Sequence, residues 1–476
     1  MTAPPTTGRG ERRFLAAAGV LALAAYLGIV TGGAYDLDGQ SRFGMVFNAM
    51  ALNLVHGRFD IDPDVILFEA FFRDGRTYAY FGILSALLRL PLMPFVDLAT
   101  VEVARPMMAL AAALAAVFQA QAALRATRHA AGDGGWLRAL LAALPFVSGP
   151  QVYLLGAVDM YGEASLWGLC FASATVAAAV HLTLHRGRPA THLYALVAAS
   201  AGLCLLARVS IGIGACGLAA ATVLTRLWCE AAAAGPARAA KPLAAAAVAG
   251  GIPVAFALFV NHARWGNALE FADPRRQLNF EALHPGFLAR LNELGAANLE
   301  RVWFGLQYYL APVWAFPTAD GTPRFEAWMH KWLFGAELPA ATPLVTDPLL
   351  LALAVLGVAA LARGRLPPPA TVAWAAGAAA LAVPAAMLTT LFYMSLRYRV
   401  DFQPLMLWLA LAGATTLCGR PPGRLVRRGV PALFAASVVG SGLVLALNLD
   451  APFGPAFPTA DPFRELYWAL AELFGG

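Results

Sequence analysis

The sequence predicts an all-α polytopic membrane protein: a bundle of about eleven to thirteen transmembrane helices whose outer-face loops carry short interfacial helices. Three observations carry this expectation. Of the 476 residues, 59% are hydrophobic and only 13% charged, whereas a soluble globular domain is nearer a quarter charged. Apolar runs near the roughly 20 residues needed to cross about 30 Å of hydrocarbon recur along the chain. Clusters of arginine punctuate alternate connections between those runs, the arrangement that fixes orientation in a membrane.

The first run, about 14–32, follows Arg9, Arg12 and Arg13. Its length and the lack of a small-x-small cleavage site read as an uncleaved span rather than a signal peptide. Further spans are expected near 103–123, 137–156, 164–183, 192–209, 211–228, 243–261, 347–362, 371–391, 402–418 and 430–448. With the N-terminus inside and the C-terminus outside, the inner segments hold 17 of the 34 basic residues and only three of the 28 acids, Glu11, Asp133 and Glu230. The opposite orientation puts every basic cluster on the wrong side. The stretch 78–97 is nearly long enough to span, but spanning alone would invert everything after it. It is therefore read as an interfacial or re-entrant helix.

The chain is one integral membrane domain, 1–476, with two long outer loops at 33–102 and 262–346. In the second loop Trp303, Tyr308, Tyr309 and Trp314 suit a segment at the lipid–water boundary, as does the C-terminal FRELYWALAELF. The five cysteines all lie in or beside apolar runs with no CxxC spacing, as buried small hydrophobes do. The net charge of +6 is dispersed over short loops and does not argue for a nucleic-acid partner.

Polar residues concentrate in a few places. The first loop opens with Asp36 and Asp38 and continues to Asp60, Asp62 and Asp64 in FDIDPD. The last three read as a solvated turn, and one early aspartate reads as a helix cap. Asp38 precedes a stretch with Phe43, Val46, Phe47, Met50 and Leu54 on one helical face. A carboxylate at the head of a surface helix is placed to act as a general base on a hydroxyl. Asp159 and Glu163 stand at the outer ends of apolar runs, and Arg208 interrupts one. Ionisable groups there are costly and mark either a site or a charge pair between helices. MSLRYRVDFQP, 394–404, sets Arg397 and Arg399 between two outer span ends, where guanidinium groups suit a phosphate. Their alternative role is snorkelling to the interface. Arg264, Arg275 and Arg276 are further phosphate candidates. There is no phosphate-binding glycine loop, HExxH or GxSxG.

The pattern resembles the polytopic GT-C glycosyltransferases, which use polyprenyl-phosphate sugars. The likeness rests on YDLDGQ after the first span, DGRTYAYFGILSALLRLP at the end of that loop, VNHARWGNALEF, and LRYRVDFQPLMLWLA opening a late span. It implies a GT-C-like bundle in a bacterial inner membrane and inverting transfer to an acceptor hydroxyl at the extracytoplasmic face. Asp38, ahead of Asp36, matches the catalytic base, and Asp159 or Glu163 matches a second outer acid. Arg397, Arg399 or Arg264 would offset charge on the leaving phosphate. The Lys-Pro-Pro element of some lipid-modifying members is replaced by TYAYFG, which leaves Arg76 as a candidate grip. The implied partners are the polyprenyl-phosphate sugar donor, an envelope glycan, lipid or protein acceptor, and membrane lipid. A divalent cation, Mg or Mn, is a possible cofactor without an identified ligand set. The competing readings are a lipid-linked polysaccharide polymerase or ligase, a multi-pass transporter and a non-catalytic scaffold. Gathering of polar residues at one face argues against the transporter, whose sites lie near the midplane.

Overall fold

The computed structural model describes residues 8–37, 39–128, 135–185, 187–310, 332–337, 342–366, 368–418, 421 and 423–449. Eleven apolar helices occupy the eleven expected positions. They are α1 Arg9–Val30, α2 Ala104–Ala126, α3 Gly135–Val147, α4 Met160–Leu184, α5 Thr191–Ala207 and α6 Val209–Ala234. The series continues with α7 Ala237–Trp265, α8 Pro348–Ala362, α9 Pro368–Leu388, α10 Arg399–Cys418 and α11 Arg424–Leu449. Among the described residues nine helical segments are long and apolar enough to cross a membrane, with α5 and α8 as shorter apolar helices. This is an all-α polytopic architecture with little sheet.

Small residues set the packing. Lipid supplies no hydrophobic drive between helices, so close backbone approach has to supply dispersion contact. Gly357 of α8 and Gly413 of α10 meet so tightly that a Cβ at Gly413 would fall 2.1 Å from the Leu353 carbonyl oxygen. In α2 the alanines at 109, 111, 112, 115 and 116 are buried, and α4 lies against them. Helix α4 is buried on nearly all sides, whereas α1 and α7 leave Val20, Leu21, Val248 and Ile252 exposed on their outer faces. Helix α3 breaks at Gly149, whose φ of +94° favours glycine. It resumes as the short turns Pro150–Tyr153 and Leu154–Gly156.

The predicted inner and outer connections separate to opposite ends. At one end Arg138 pairs with Glu11, and Arg226 with Glu230. At the other Arg89 pairs with Glu163, Arg208 with Asp401, and Arg399 with Asp347.

The first loop is a built structure. Val46–Leu54 is a helix burying Val46, Phe47 and Met50, the face expected from the sequence. Asp62 caps Pro63–Ile66 by accepting from the Asp64 amide at 2.9 Å, and Asp60 pairs with Arg58 at 2.6 Å. Asp62 and Asp64 are exposed on the turn that FDIDPD suggests, whereas the Asp60 side chain is largely covered beside Arg58. A hairpin not anticipated from sequence pairs β1 Phe71–Arg73 with β2 Arg76–Tyr78. Its signal was the Asp74–Gly75 turn, where φ is +51° and +73°, as a two-residue hairpin demands. The stretch 78–97 forms no continuous helix: Leu84–Leu87 and Leu90–Leu92 are single turns, broken where Pro91 and Pro94 follow.

In the second loop two aromatic expectations are corrected. Tyr308 and Tyr309 are buried rather than interfacial, packed with Met394 and Phe402, because the loop folds back onto the bundle. Trp303 is exposed, while Trp314 and the C-terminal FRELYWALAELF lie outside the described residues. The short parallel pair β3 Gly335–Ala336 and β4 Tyr393–Met394 fastens this loop beside the start of α10.

Candidate active site

Arg397 is the centre of a polar cluster at the loop-covered end of the bundle. The short 3-10 turn Leu396–Tyr398 ahead of α10 aims its guanidinium over the Tyr161 ring, 3.9 Å from the centroid. Its Nη1 lies 3.3 Å from Glu337 Oε1. Glu337 is held in turn, since its Oε2 accepts from Ser395 Oγ at 2.6 Å and from the Leu396 amide at 3.0 Å. The hydroxyl of Tyr161 donates to Glu69 Oε1, and Gln277 Nε2 donates to Glu69 Oε2 at 3.1 Å. Glu69 thus joins the first loop, the second loop and α4. Burial raises its carboxyl above the usual range, opposed by the Tyr161 bond and by the charges of Arg397 and Arg42.

Asp159 caps α4, accepting from the Gly162 amide at 2.6 Å. An isolated parallel β-bridge joins its backbone to that of Arg42. Desolvation raises its carboxyl, Arg397 and the Gly162 amide oppose that rise, and Glu337 adds to it. Beside it Arg208 holds Asp401 with Nε at 3.1 Å, donates Nη1 to Ser165 Oγ at 3.1 Å, and stacks 5.3 Å from the Tyr398 ring centroid. Tyr80 is raised well above the ordinary tyrosine range by burial, reinforced by Glu69 and Tyr398. The centre therefore offers a cation among carboxylates and phenols, largely shielded from water.

The structure brings Arg397, Asp159 and Arg208 together and disperses the other sequence candidates. Glu163 is fully buried and held bidentately by Arg89, at 2.5 and 2.8 Å. Asn48 Oδ1 accepts from Arg89 Nε at 2.7 Å. This ties the first loop to α4. Arg399 is also fully buried but faces Asp347, at 3.6 Å, on another side of α10. Arg76 is exposed on the hairpin, 4.0 Å from Asp60. Arg264 is buried and donates Nη1 to the Phe81 carbonyl at 2.7 Å. Its Nε and Nη2 have no hydrogen-bond partner among the described residues. Arg275 and Arg276 are surface groups paired with Asp273 and Glu270.

Asp36 is exposed on the loop leading to Arg42, and Asp38 lies outside the described residues. That loop is clamped from α2 and the residues before it. Glu102 accepts from the Ser41 amide at 2.9 Å and from its hydroxyl, and Arg105 donates to the Asp36 carbonyl at 3.0 Å.

Glu69, Glu337, Tyr161 and Arg89 escaped the sequence reading. Two had a usable signal: Glu69 is a lone acid within ILFEAFF, and Arg89 a lone cation within LSALLRLPL. Both are charges that burial has to pair. Among the described residues no three His, Cys, Asp or Glu side chains gather to hold a metal ion. The acids at the centre are instead engaged by arginine, hydroxyl, amide and backbone donors.

No protein-family model matches the sequence, and no curated protein matches it. Solved structures similar to this chain include the oligosaccharyltransferase AglB from Archaeoglobus fulgidus in complex with an inhibitory peptide and a dolichol-phosphate. The identity is 14% and the TM-score 0.45, covering 97% of this chain and 60% of that one. Another is ArnT from Cupriavidus metallidurans bound to undecaprenyl phosphate, at 15% identity and TM-score 0.43, covering 99% of this chain and 70% of that one. The chain thus spans about three fifths of the archaeal protein's length.

Proposed function

We propose that this protein is a membrane glycosyltransferase that moves a sugar from a polyprenyl-phosphate donor to an acceptor hydroxyl at the extracytoplasmic face, with inversion. The observation that carries the reading is the Arg397 centre, with Asp159, Glu69 and Glu337 around it and the backbone of Arg42, in the first loop, bridged to Asp159. The resemblance of YDLDGQ, VNHARWGNALEF and LRYRVDFQP to GT-C stretches supports the same chemistry.

In this mechanism the acceptor oxygen attacks the anomeric carbon as the bond from that carbon to the phosphate oxygen breaks. The polyprenyl phosphate departs carrying the electron pair. Arg397 stabilises its growing charge. The acceptor proton passes to a carboxylate of the early loop, Asp38 ahead of Asp36. Asp159 and Glu69 orient Arg397 and the acceptor. Glu163 acts on position, through Arg89, rather than on substrate.

The test is sugar transfer by purified protein from a panel of polyprenyl-phosphate sugars. Arg397→Gln is expected to lower kcat by roughly 100- to 1,000-fold, the usual loss of one charge-stabilising donor, with the thermal transition retained. Asp38→Asn should remove transfer while donor binding persists. Unchanged transfer in either variant overturns that residue's role. Absence of transfer with every donor, together with ion-driven uptake into vesicles, overturns the enzyme reading.

A further inference from the structure

The end of the bundle remote from Arg397 carries a second concentration of charge. Arg125 lies in the last turn of α2 and Arg128 just after it. His181 lies in the last turn of α4 with His185 as its C-cap, and His192 opens α5. Arg125, His185, Arg128 and His192 all bear electrostatically on His181. The rings of His181 and His185 are 5.5 Å apart. Arg125 donates Nη1 to the Ala177 carbonyl at 3.4 Å, so its guanidinium sits in the seam between α2 and α4.

The acids of this end are already engaged. Glu11 pairs with Arg138. Glu230 lies 3.4 Å from Arg226 and accepts from Tyr194 at 2.6 Å. Asp133 lies outside the described residues. Glu11 and Glu230 reach Arg125 and His185 only at long range. Among the described residues no carboxylate forms an ion pair with Arg125, Arg128, His181, His185 or His192. Arg226 meanwhile donates to the carbonyls of His185 and Gly187, which pins the α4–α5 connection beneath the group.

Two simpler explanations leave something over. Helix C-termini favour cations within the last turn, and arginines near a bilayer favour the anionic leaflet diffusely. Neither requires a guanidinium held against a backbone carbonyl in an interhelical seam. Next to this seam α1 leaves Phe14 and Leu21 exposed on its outer face, an apolar surface that fits acyl chains rather than water.

We propose that Arg125, Arg128, His181, His185 and His192 form a binding site for the phosphodiester headgroup of an anionic phospholipid. Arg125 is the fixed donor in the seam, and the acyl chains lie along α1. The chemistry is that of guanidinium forks from Arg125 and Arg128 on phosphate oxygens, with the imidazole N–H groups as neutral donors beside them.

The experiment uses the full chain in phosphatidylcholine nanodiscs, titrated with phosphatidylglycerol or diphosphatidylglycerol and read by native mass spectrometry. Saturable binding to the wild type is expected, weakened at least tenfold in Arg125→Gln/Arg128→Gln and unchanged in Arg238→Gln, an exposed arginine at the same end. Arg128→Gln alone, outside the helix core, is expected to weaken binding severalfold and serves if the double variant does not fold. Equal losses in the Arg238 and Arg128 variants would mean diffuse attraction and overturn the site. Competition by millimolar inorganic phosphate would reassign it to a soluble anion. Non-saturable uptake by the wild type would also overturn it.

Discussion

At the residue scale, the two roles open to a buried charge separate cleanly. Glu163 and Arg89 are both fully buried and satisfy each other with two hydrogen bonds. Removing one partner of such a pair costs about 3–5 kcal/mol, because the other charge is left without compensation. Glu163→Gln should therefore lower the thermal transition in detergent markedly. Arg89→Met/Glu163→Leu should recover part of that loss, and a double variant less stable than both singles would refute the pairing as the source. Arg397 differs. Its guanidinium lies 3.3 Å from the Glu337 carboxylate and over the Tyr161 ring face rather than in a two-bond clasp with a single carboxylate. Glu69 shows the same economy, with two neutral donors on a carboxylate that burial makes harder to ionise.

At the scale of elements, the loop after α1 is held by groups that the sequence does not advertise as partners. Glu102 grips Ser41 across 61 residues, and Arg105 grips the Asp36 carbonyl. Orientation contributes steeply to rate, and a misplacement near 1 Å costs about 100-fold. Glu102→Ala is expected to lower kcat by roughly 10- to 100-fold while the thermal transition moves little. A large unfolding effect with unchanged kcat would assign Glu102 to stability alone. The same element shows where local reading succeeds. The face Val46, Phe47, Met50 follows from helical period, and the FDIDPD turn from aspartate's capping chemistry. The hairpin turning at Asp74–Gly75 is equally local in its signal.

At the scale of the whole molecule, the charge bias of alternate connections sets an orientation that can be measured. Cysteine substituted at Asp62 should react with an impermeant thiol reagent in intact cells. Cysteine at Gly187 should react only after permeabilisation. The reverse pattern would place the Arg397 centre in the cytosol and remove the proposed access to an extracytoplasmic acceptor. The bundle itself agrees with the alternation, since Arg138–Glu11 and Arg208–Asp401 gather at opposite ends.

The total of spans, eleven to thirteen, was not legible in the sequence, but the places of the eleven apolar helices among the described residues were, because each run meets the demand of hydrocarbon within its own twenty residues. The same holds for the segregation of basic connections, a sum over charges that needs no contact map. Which polar groups share a centre was decided only in three dimensions. Glu69 meets Tyr161 across 92 residues and Gln277 across 208, and Arg397 and Arg399, two residues apart, turn to different carboxylates. Such pairings depend on how helices rotate and close on one another, and side-chain chemistry in a single stretch contains no term for that.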